Sequence, residues 1–149
     1  MLIETVKTLF NRDLNKLIQE IESYKDEKVI WMVDKGISNS AGNLCLHLIG
    51  NLNGFIGAVI GNTGYVRQRD LEFSLKDIPL AELVNKIDDT IAMINESLPK
   101  LTDEELKGEY PILVFKEKTT TEYFLVHLVA HLSYHLGQVN YHRRLLDEE

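Results

Sequence analysis

Four segments of the chain carry apolar residues at the three- and four-residue spacing of an amphipathic helix. They cover residues 2–21, about 40–61, about 80–98 and about 119–146. Each such helix must bury one apolar face, so four of them in one chain predict an all-α four-helix bundle. The connections between the second, third and fourth helices are long for simple hairpins, and we expect at least one of them to cross over the bundle.

Polar residues predict where the helices begin, because their side chains can accept a hydrogen bond from a free backbone N–H. The caps predicted in this way are Ser38, Asn39 or Ser40 for the second helix and Asp77, two residues before Pro79, for the third. Two stretches have the form of a capping box. They predict a short helical turn at residues 102–105 and the start of the fourth helix at residues 119–122, while residues 110–115 could form a short extended piece.

Glycines form a stripe along the second helix, roughly opposite its leucine face. The stripe consists of Gly50, Gly54, Gly57 and Gly61. Each glycine costs about 1 kcal/mol relative to alanine inside a helix, so we expect a compensating close contact along the stripe. That contact lies either within the bundle or across a homodimer, and a Gly54→Leu substitution should disrupt packing or assembly.

Composition and charge narrow the class of protein. The 149 residues, 44% hydrophobic and 26% charged, fit one globular domain over residues 1–149. The net charge of -7 repels a phosphate backbone, so we expect no nucleic-acid or anionic-membrane partner. Cys45 is the only cysteine, which excludes an intrachain disulfide, and we interpret it as a buried core residue. We find no signal-peptide pattern and no membrane-spanning run, and expect a cytoplasmic protein.

Histidines supply the candidate chemistry. Four of the five histidines lie on the fourth predicted helix: His127, His131, His135 and His142. His131 and His135 are four residues apart and therefore adjacent on a helix, which is the spacing of a two-ligand clamp for a transition metal. His47 lies at the edge of the apolar face of the second helix and can supply a third ligand. Spacing alone leaves open the alternative that all three are ordinary, hydrogen-bonded histidines.

The remaining features of this helix refine the hypothesis. A three-histidine site leaves coordination positions open, which is the catalytic rather than the structural pattern for zinc; nickel, iron, cobalt and copper are alternatives. Leu132 stands where a zinc protease has its glutamate, which disfavours a protease. We interpret His127 as a residue at the core margin, and His142, beside Arg143 and Arg144, as part of the solvated helix end.

The chain resembles the DinB-like (DinB/YfiT) superfamily of small helical metalloenzymes. The resemblance rests on residues 44–52 around His47 and on residues 131–138, where the pattern His-x-x-x-His is followed by a Gly-Gln pair. It implies an up-down-down-up bundle with a long crossover connection, frequent homodimers, and an open site in which His47, His131 and His135 hold a divalent transition metal, with zinc or nickel favoured.

The resemblance also implies a function. We expect a metal-dependent enzyme, a transferase or hydrolase, that acts on a small molecule and activates a low-molecular-weight thiol or water; no catalytic residue can be assigned. The alternative is a non-catalytic metal-binding or helical interaction protein. In the implied topology residues 62–76 return along the bundle, where they either form a solvated loop or approach the metal. The side chains that could do so are Tyr65, Arg67, Arg69, Asp70 and Glu72.

Overall fold

The computed structural model of the protein describes residues 2–148, and within them it contains six α-helices and no strand. The helices are α1 (Leu2–Glu22), α2 (Ala41–Leu52), α3 (Arg69–Ser74), α4 (Leu80–Ser97), α5 (Asp103–Lys107) and α6 (Thr121–Leu146). A π-helix (Asn53–Ala58) continues α2, and 3-10 turns lie at Glu27–Trp31 and Leu98–Lys100. The prediction of an all-α protein is confirmed.

The four longest helices pack around one apolar core. Helix α1 contacts α4 and α6, and α2 contacts α3, α4 and α6. Residues 41–48 of α2 are all buried, because this helix has neighbours on several sides. His47 therefore lies on a buried segment of α2. None of the described helices is both long enough and apolar enough to span a bilayer.

The helix ends test the predicted caps. Ser40 caps α2, with its hydroxyl accepting a hydrogen bond from the Asn43 N–H at 3.1 Å. The capping box at residues 102–105 is formed. Helix α6 begins one residue later than predicted, with Thr120 as its cap, so the predicted reciprocal partner Glu122 is out of register.

Two local predictions are wrong. Asp77 does not cap α4; it adopts a left-handed φ of 58° and turns the chain ahead of Pro79, which is the cap residue and makes no side-chain capping bond. Residues 110–115 form no strand, and only an isolated bridge joins Glu109 to Thr120. Side-chain contacts anchor this segment instead, since the ring of Tyr110 stacks on Phe124 with centroids 4.3 Å apart.

The glycine stripe makes its close contacts within the chain. A Cβ on Gly57 or Gly61 would press against side chains of α4, those of Met93 and Ser97 respectively. At the other end of the stripe, Gly50 faces the Glu72 carboxylate and Gly54 faces Arg67. Half of the stripe therefore lets α4 approach closely, and the other half makes room for two charged side chains next to His47.

Candidate metal centre

Three imidazole nitrogens converge between α2 and α6. The Nε2 atom of His131 lies 3.2 Å from Nε2 of His47 and 3.1 Å from Nε2 of His135. One ligand atom from each histidine can be chosen so that all three lie within 4.8 Å of one another. Tetrahedral ligands at zinc–nitrogen distances of about 2.05 Å are separated by about 3.3 Å. The three predicted residues therefore form a group that could hold a metal ion.

Hydrogen bonds at the opposite ring nitrogens determine where two of the protons lie. Nδ1 of His47 lies 3.0 Å from a carboxylate oxygen of Glu72, and Nδ1 of His135 lies 2.7 Å from the amide oxygen of Gln138. Nη2 of Arg67 also lies 3.3 Å from Nδ1 of His47, but the contact with Glu72 is shorter and its oxygen only accepts. The neutral rings of His47 and His135 therefore carry the proton on Nδ1 and present a lone pair at Nε2. This is the arrangement in which a carboxylate or amide orients a metal-ligating histidine.

The lone pairs on Nε2 of His47 and His135 both face His131, an arrangement that favours a bound cation. A neutral His131 has a single ring proton and can satisfy only one of the two lone pairs that face it. A metal ion between the three Nε2 atoms would satisfy all of them at once. The donor set, three imidazole nitrogens, suits zinc, nickel, copper, cobalt or iron rather than magnesium or calcium.

Burial favours the neutral forms of His131 and His47. The pKa of His131 is lowered to about 4, mainly by burial and in addition by the neighbouring His135 and His47. Burial also lowers the pKa of His47, although the hydrogen bond with Glu72 opposes the shift. Near neutral pH both rings therefore keep a free lone pair, which is the form that binds a metal.

A buried ion pair supports His47. Arg67 donates to both oxygens of Glu72, at 2.9 and 3.0 Å, and its guanidinium lies 5.6 Å from the centre of the Phe55 ring. Glu72 is 6% exposed, and Gly50 allows its carboxylate to reach α2 because any Cβ there would overlap it. A buried carboxylate needs such a partner, since an unpaired buried charge is strongly unfavourable.

Of the two alternatives for residues 62–76, a solvated loop or an approach to the histidines, the second holds for Arg67 and Glu72. Tyr65 lines the same cavity as Glu72, and burial raises the pKa of its hydroxyl. Arg69 and Asp70 are exposed and make no hydrogen bond with the three histidines in the described part of the chain. Sequence patterns alone could not have selected two residues out of five.

The other two histidines lie outside the group. His127 is half-buried, with its ring edge against Phe115 at a centroid distance of 4.7 Å, as predicted for the core margin. The prediction for His142 is wrong: it is 2% exposed, its Nε2–H donates to the Met32 carbonyl at 2.8 Å, and its Nδ1 accepts from the Tyr24 hydroxyl at 2.6 Å.

One sequence signal could have corrected the prediction for His142. His142 is seven residues after His135 and therefore shares its helix face, which could have indicated burial. The chain that follows α1 covers this end of α6 and supplies both partners of His142.

Cys45 is fully buried, and burial raises its pKa to about 12, as expected of a core residue rather than a nucleophile.

The fold and this site define an all-helical protein with a three-histidine group that could hold a metal ion. The chain belongs to the family described as "Protein of unknown function (DUF1572)", whose model matches residues 2–149. No curated protein matches the sequence.

Proposed function

We propose that the protein is a metal-dependent enzyme of the DinB-like type that acts on a small molecule. His47, His131 and His135 would hold a divalent transition metal, with zinc or nickel favoured over iron, cobalt and copper. The convergence of three Nε2 atoms, 3.1 and 3.2 Å apart, carries this proposal. Bound there, the metal would lower the pKa of a coordinated water or low-molecular-weight thiol and so supply a nucleophile near neutral pH.

The chain's own residues would prepare the site. Glu72 and Gln138 hold His47 and His135 in the ligating tautomer, and Arg67 keeps the Glu72 carboxylate in place. Three protein ligands leave at least one position for water, thiol or substrate. His131 and His135 are only half-buried, which is consistent with access from solvent.

We further propose an up-down-down-up four-helix bundle, with residues 62–79 as the long crossover, and a homodimeric, cytoplasmic protein. The contacts of α1 and α2 with both α4 and α6 are those of such a bundle. The outer face of α6 supports a dimer: residues 123–142 contain no charged side chain. Tyr123, Tyr134 and Tyr141 are 60–67% exposed on this helix, and exposed tyrosines without charges are typical of interfaces.

One observation favours a non-catalytic metal-binding or helical interaction protein instead. Among the described residues, Glu72 is the carboxylate that is hydrogen-bonded to the histidine group, and Arg67 and His47 occupy its two oxygens. Glu72 is therefore a poor general base, since both oxygens are already acceptors. An enzyme at this site would have to rely on the metal-activated nucleophile itself.

Elemental analysis of untagged protein tests the metal site. We expect about one metal ion per chain in the wild type and in His127→Ala, and none in His131→Ala. The reason is that His131, unlike His127, is one of the three converging histidines. His127→Ala is the matched control, since it removes a histidine one helical turn away. If the wild-type protein contains no metal after growth and purification under metal-replete conditions, the proposal is overturned.

A second assay separates enzyme from binder. Transfer of a small thiol to an electrophile is measured for the metal-loaded protein, with and without a chelator. A rate that the chelator abolishes supports the enzyme. If protein with stoichiometric metal shows only the background rate, the result supports the interpretation as a non-catalytic metal-binding protein.

A further inference from the structure

Two buried side-chain atoms have no hydrogen-bond partner in the described part of the chain, namely Nδ1 of His131 and Oδ1 of Asn51. Asn51 is 7% exposed. An unpaired buried polar atom costs about 1–3 kcal/mol, so each such atom in a folded protein requires an explanation. One of them belongs to the central histidine of the metal group.

Contacts between α2, its π-helical continuation and α6 fix the register of Asn51. Leu44 and Gln138 line one cavity, His47 meets His131 at 3.2 Å, and the rings of Phe55 and Phe124 lie 5.1 Å apart. Residue numbers thus rise along α2 as they fall along α6. Asn51 is midway between His47 and Phe55, so it lies level with residues 127–128 of α6.

Side-chain direction brings the two atoms toward each other. Helical side chains lean toward the N-terminus of their own helix. The His131 ring therefore leans toward the level of residues 127–128, and the Asn51 amide leans back toward the level of His47. Both side chains therefore project into the space between α2 and α6 at neighbouring levels.

The two atoms are also chemically complementary. If Nε2 of His131 presents its lone pair to a metal, its single proton must lie on Nδ1, which becomes a donor. Oδ1 of Asn51 is an acceptor. His47 and His135 each have an acceptor at Nδ1, Glu72 and Gln138 respectively, and His131 is the one ligand of the three without such a partner.

We propose that Asn51 is the positioning residue for His131: its Oδ1 accepts the Nδ1–H of His131 when Nε2 of that ring ligates the metal. The inference rests on the proposed metal binding. Asn51 acts through His131, by fixing the tautomer and orientation of the ring, and completes a set in which each of the three ligands has an acceptor at Nδ1. Metal-ligating histidines usually have such a partner.

Two substitutions at this position test the assignment. Asn51→Leu has the same number and branching of side-chain heavy atoms but no acceptor, whereas Asn51→Asp retains the oxygen. We expect Asn51→Leu to weaken metal affinity about 10- to 100-fold, measured by competition with a chromophoric zinc chelator, and Asn51→Asp to remain within a few-fold of wild type. Nitrogen NMR of the zinc-loaded wild type should show the His131 proton on Nδ1, protected from exchange, and Asn51→Leu should lose that protection.

Stability provides a readout that distinguishes positioning from packing. In the metal-free protein, leucine replaces an amide whose oxygen is unpaired, so thermal stability should be unchanged or higher even though metal affinity falls. Asn53→Leu is the matched control on the adjoining turn. Its amide donates to the Ile49 carbonyl at 2.8 Å and to the Thr90 hydroxyl at 3.0 Å, so that variant should lose stability and keep wild-type affinity.

The outcomes are separable. Wild-type zinc affinity in Asn51→Leu would overturn the role of Asn51 alone. Equal weakening in Asn51→Leu and Asn51→Asp, together with lower stability of both, would also overturn it, because the residue would then act by packing. A wild type that binds no zinc would overturn the proposed function and this inference with it.

Discussion

Replacing Gly50 by alanine tests whether the glycine stripe serves the histidine group. A Cβ at this position would overlap the Glu72 carboxylate and lie 2.6 Å from its Cδ, so the carboxylate would have to shift from its position beside His47. Alanine adds about 1 kcal/mol of helix propensity, whereas breaking a buried ion pair costs about 3–5 kcal/mol. The Arg67 side chain is 19% exposed, which favours the lower figure. We therefore expect the free energy of unfolding to fall by about 2 kcal/mol, measured by urea denaturation of the metal-free protein.

The same substitution should weaken metal binding. Without the Glu72 acceptor, His47 loses its fixed tautomer, and the loss of such a partner typically costs about 10- to 100-fold in metal affinity. Gly54→Ala is the matched control on the same stripe. Its Cβ would make an ordinary contact of 3.4 Å with Arg67, so metal affinity should stay at the wild-type value.

Two results would refute this reasoning. One is a Gly50→Ala protein that is at least as stable as wild type and binds metal equally well. The other comes from combining Gly50→Ala with Glu72→Ala: if the alanine acts by displacing Glu72, it should add little to the effect of removing Glu72. Additive losses of affinity would show that Gly50 acts through something else.

Two further predictions concern pH and the buried histidine at the end of α6. Burial lowers the pKa of His131 to about 4 and also lowers the pKa of His142, while both rings titrate near 6.5 in the unfolded chain. The unfolded state then binds more protons, so the stability of the metal-free protein should be fully present above about pH 6.5 and fall as pH drops toward 4. Urea midpoints that do not change between pH 7 and pH 5 would contradict this. Tyr24→Phe removes the donor to Nδ1 of His142 and should lower the free energy of unfolding by about 1–3 kcal/mol with unchanged metal affinity, and a lower metal affinity in that variant would show that the contact supports the site.

Helical periodicity and ligand spacing were sufficient for much of this protein. The apolar spacing predicted the four longest helices, because a helix must bury one face whatever its partners are. The i, i+4 spacing of His131 and His135 guarantees proximity on any helix, and the placement of His47 at the edge of an apolar face was enough to bring it to the same point.

Features that depend on tertiary contacts were not accessible in the same way. Nothing in the local sequence indicates that Glu72, twenty-five residues after His47, reaches its Nδ1, because the route of the intervening chain is set by packing. The burial of His142 depends on Met32 and Tyr24, which are more than a hundred residues away in sequence. The apolar pattern also does not distinguish the π-helix after α2 from an α-helix. The two differ only in that each backbone hydrogen bond spans five residues instead of four.

The local costs around the histidines argue against the alternative of ordinary core histidines. Gly50 gives up helix propensity, Glu72 is a buried charge, and Asn51 leaves an amide oxygen unpaired. Each of these lowers stability by itself, and each lies within one helical turn of His47 or in contact with it. A histidine that merely packed in the core would need none of them, since one hydrogen bond to a carbonyl satisfies it, as Met32 does for His142. Sites at which several local rules are broken together are typically functional ones. That concentration of unfavourable features around three converging Nε2 atoms is best explained by a ligand whose binding offsets them, and a transition-metal cation is the ligand that three imidazole nitrogens select.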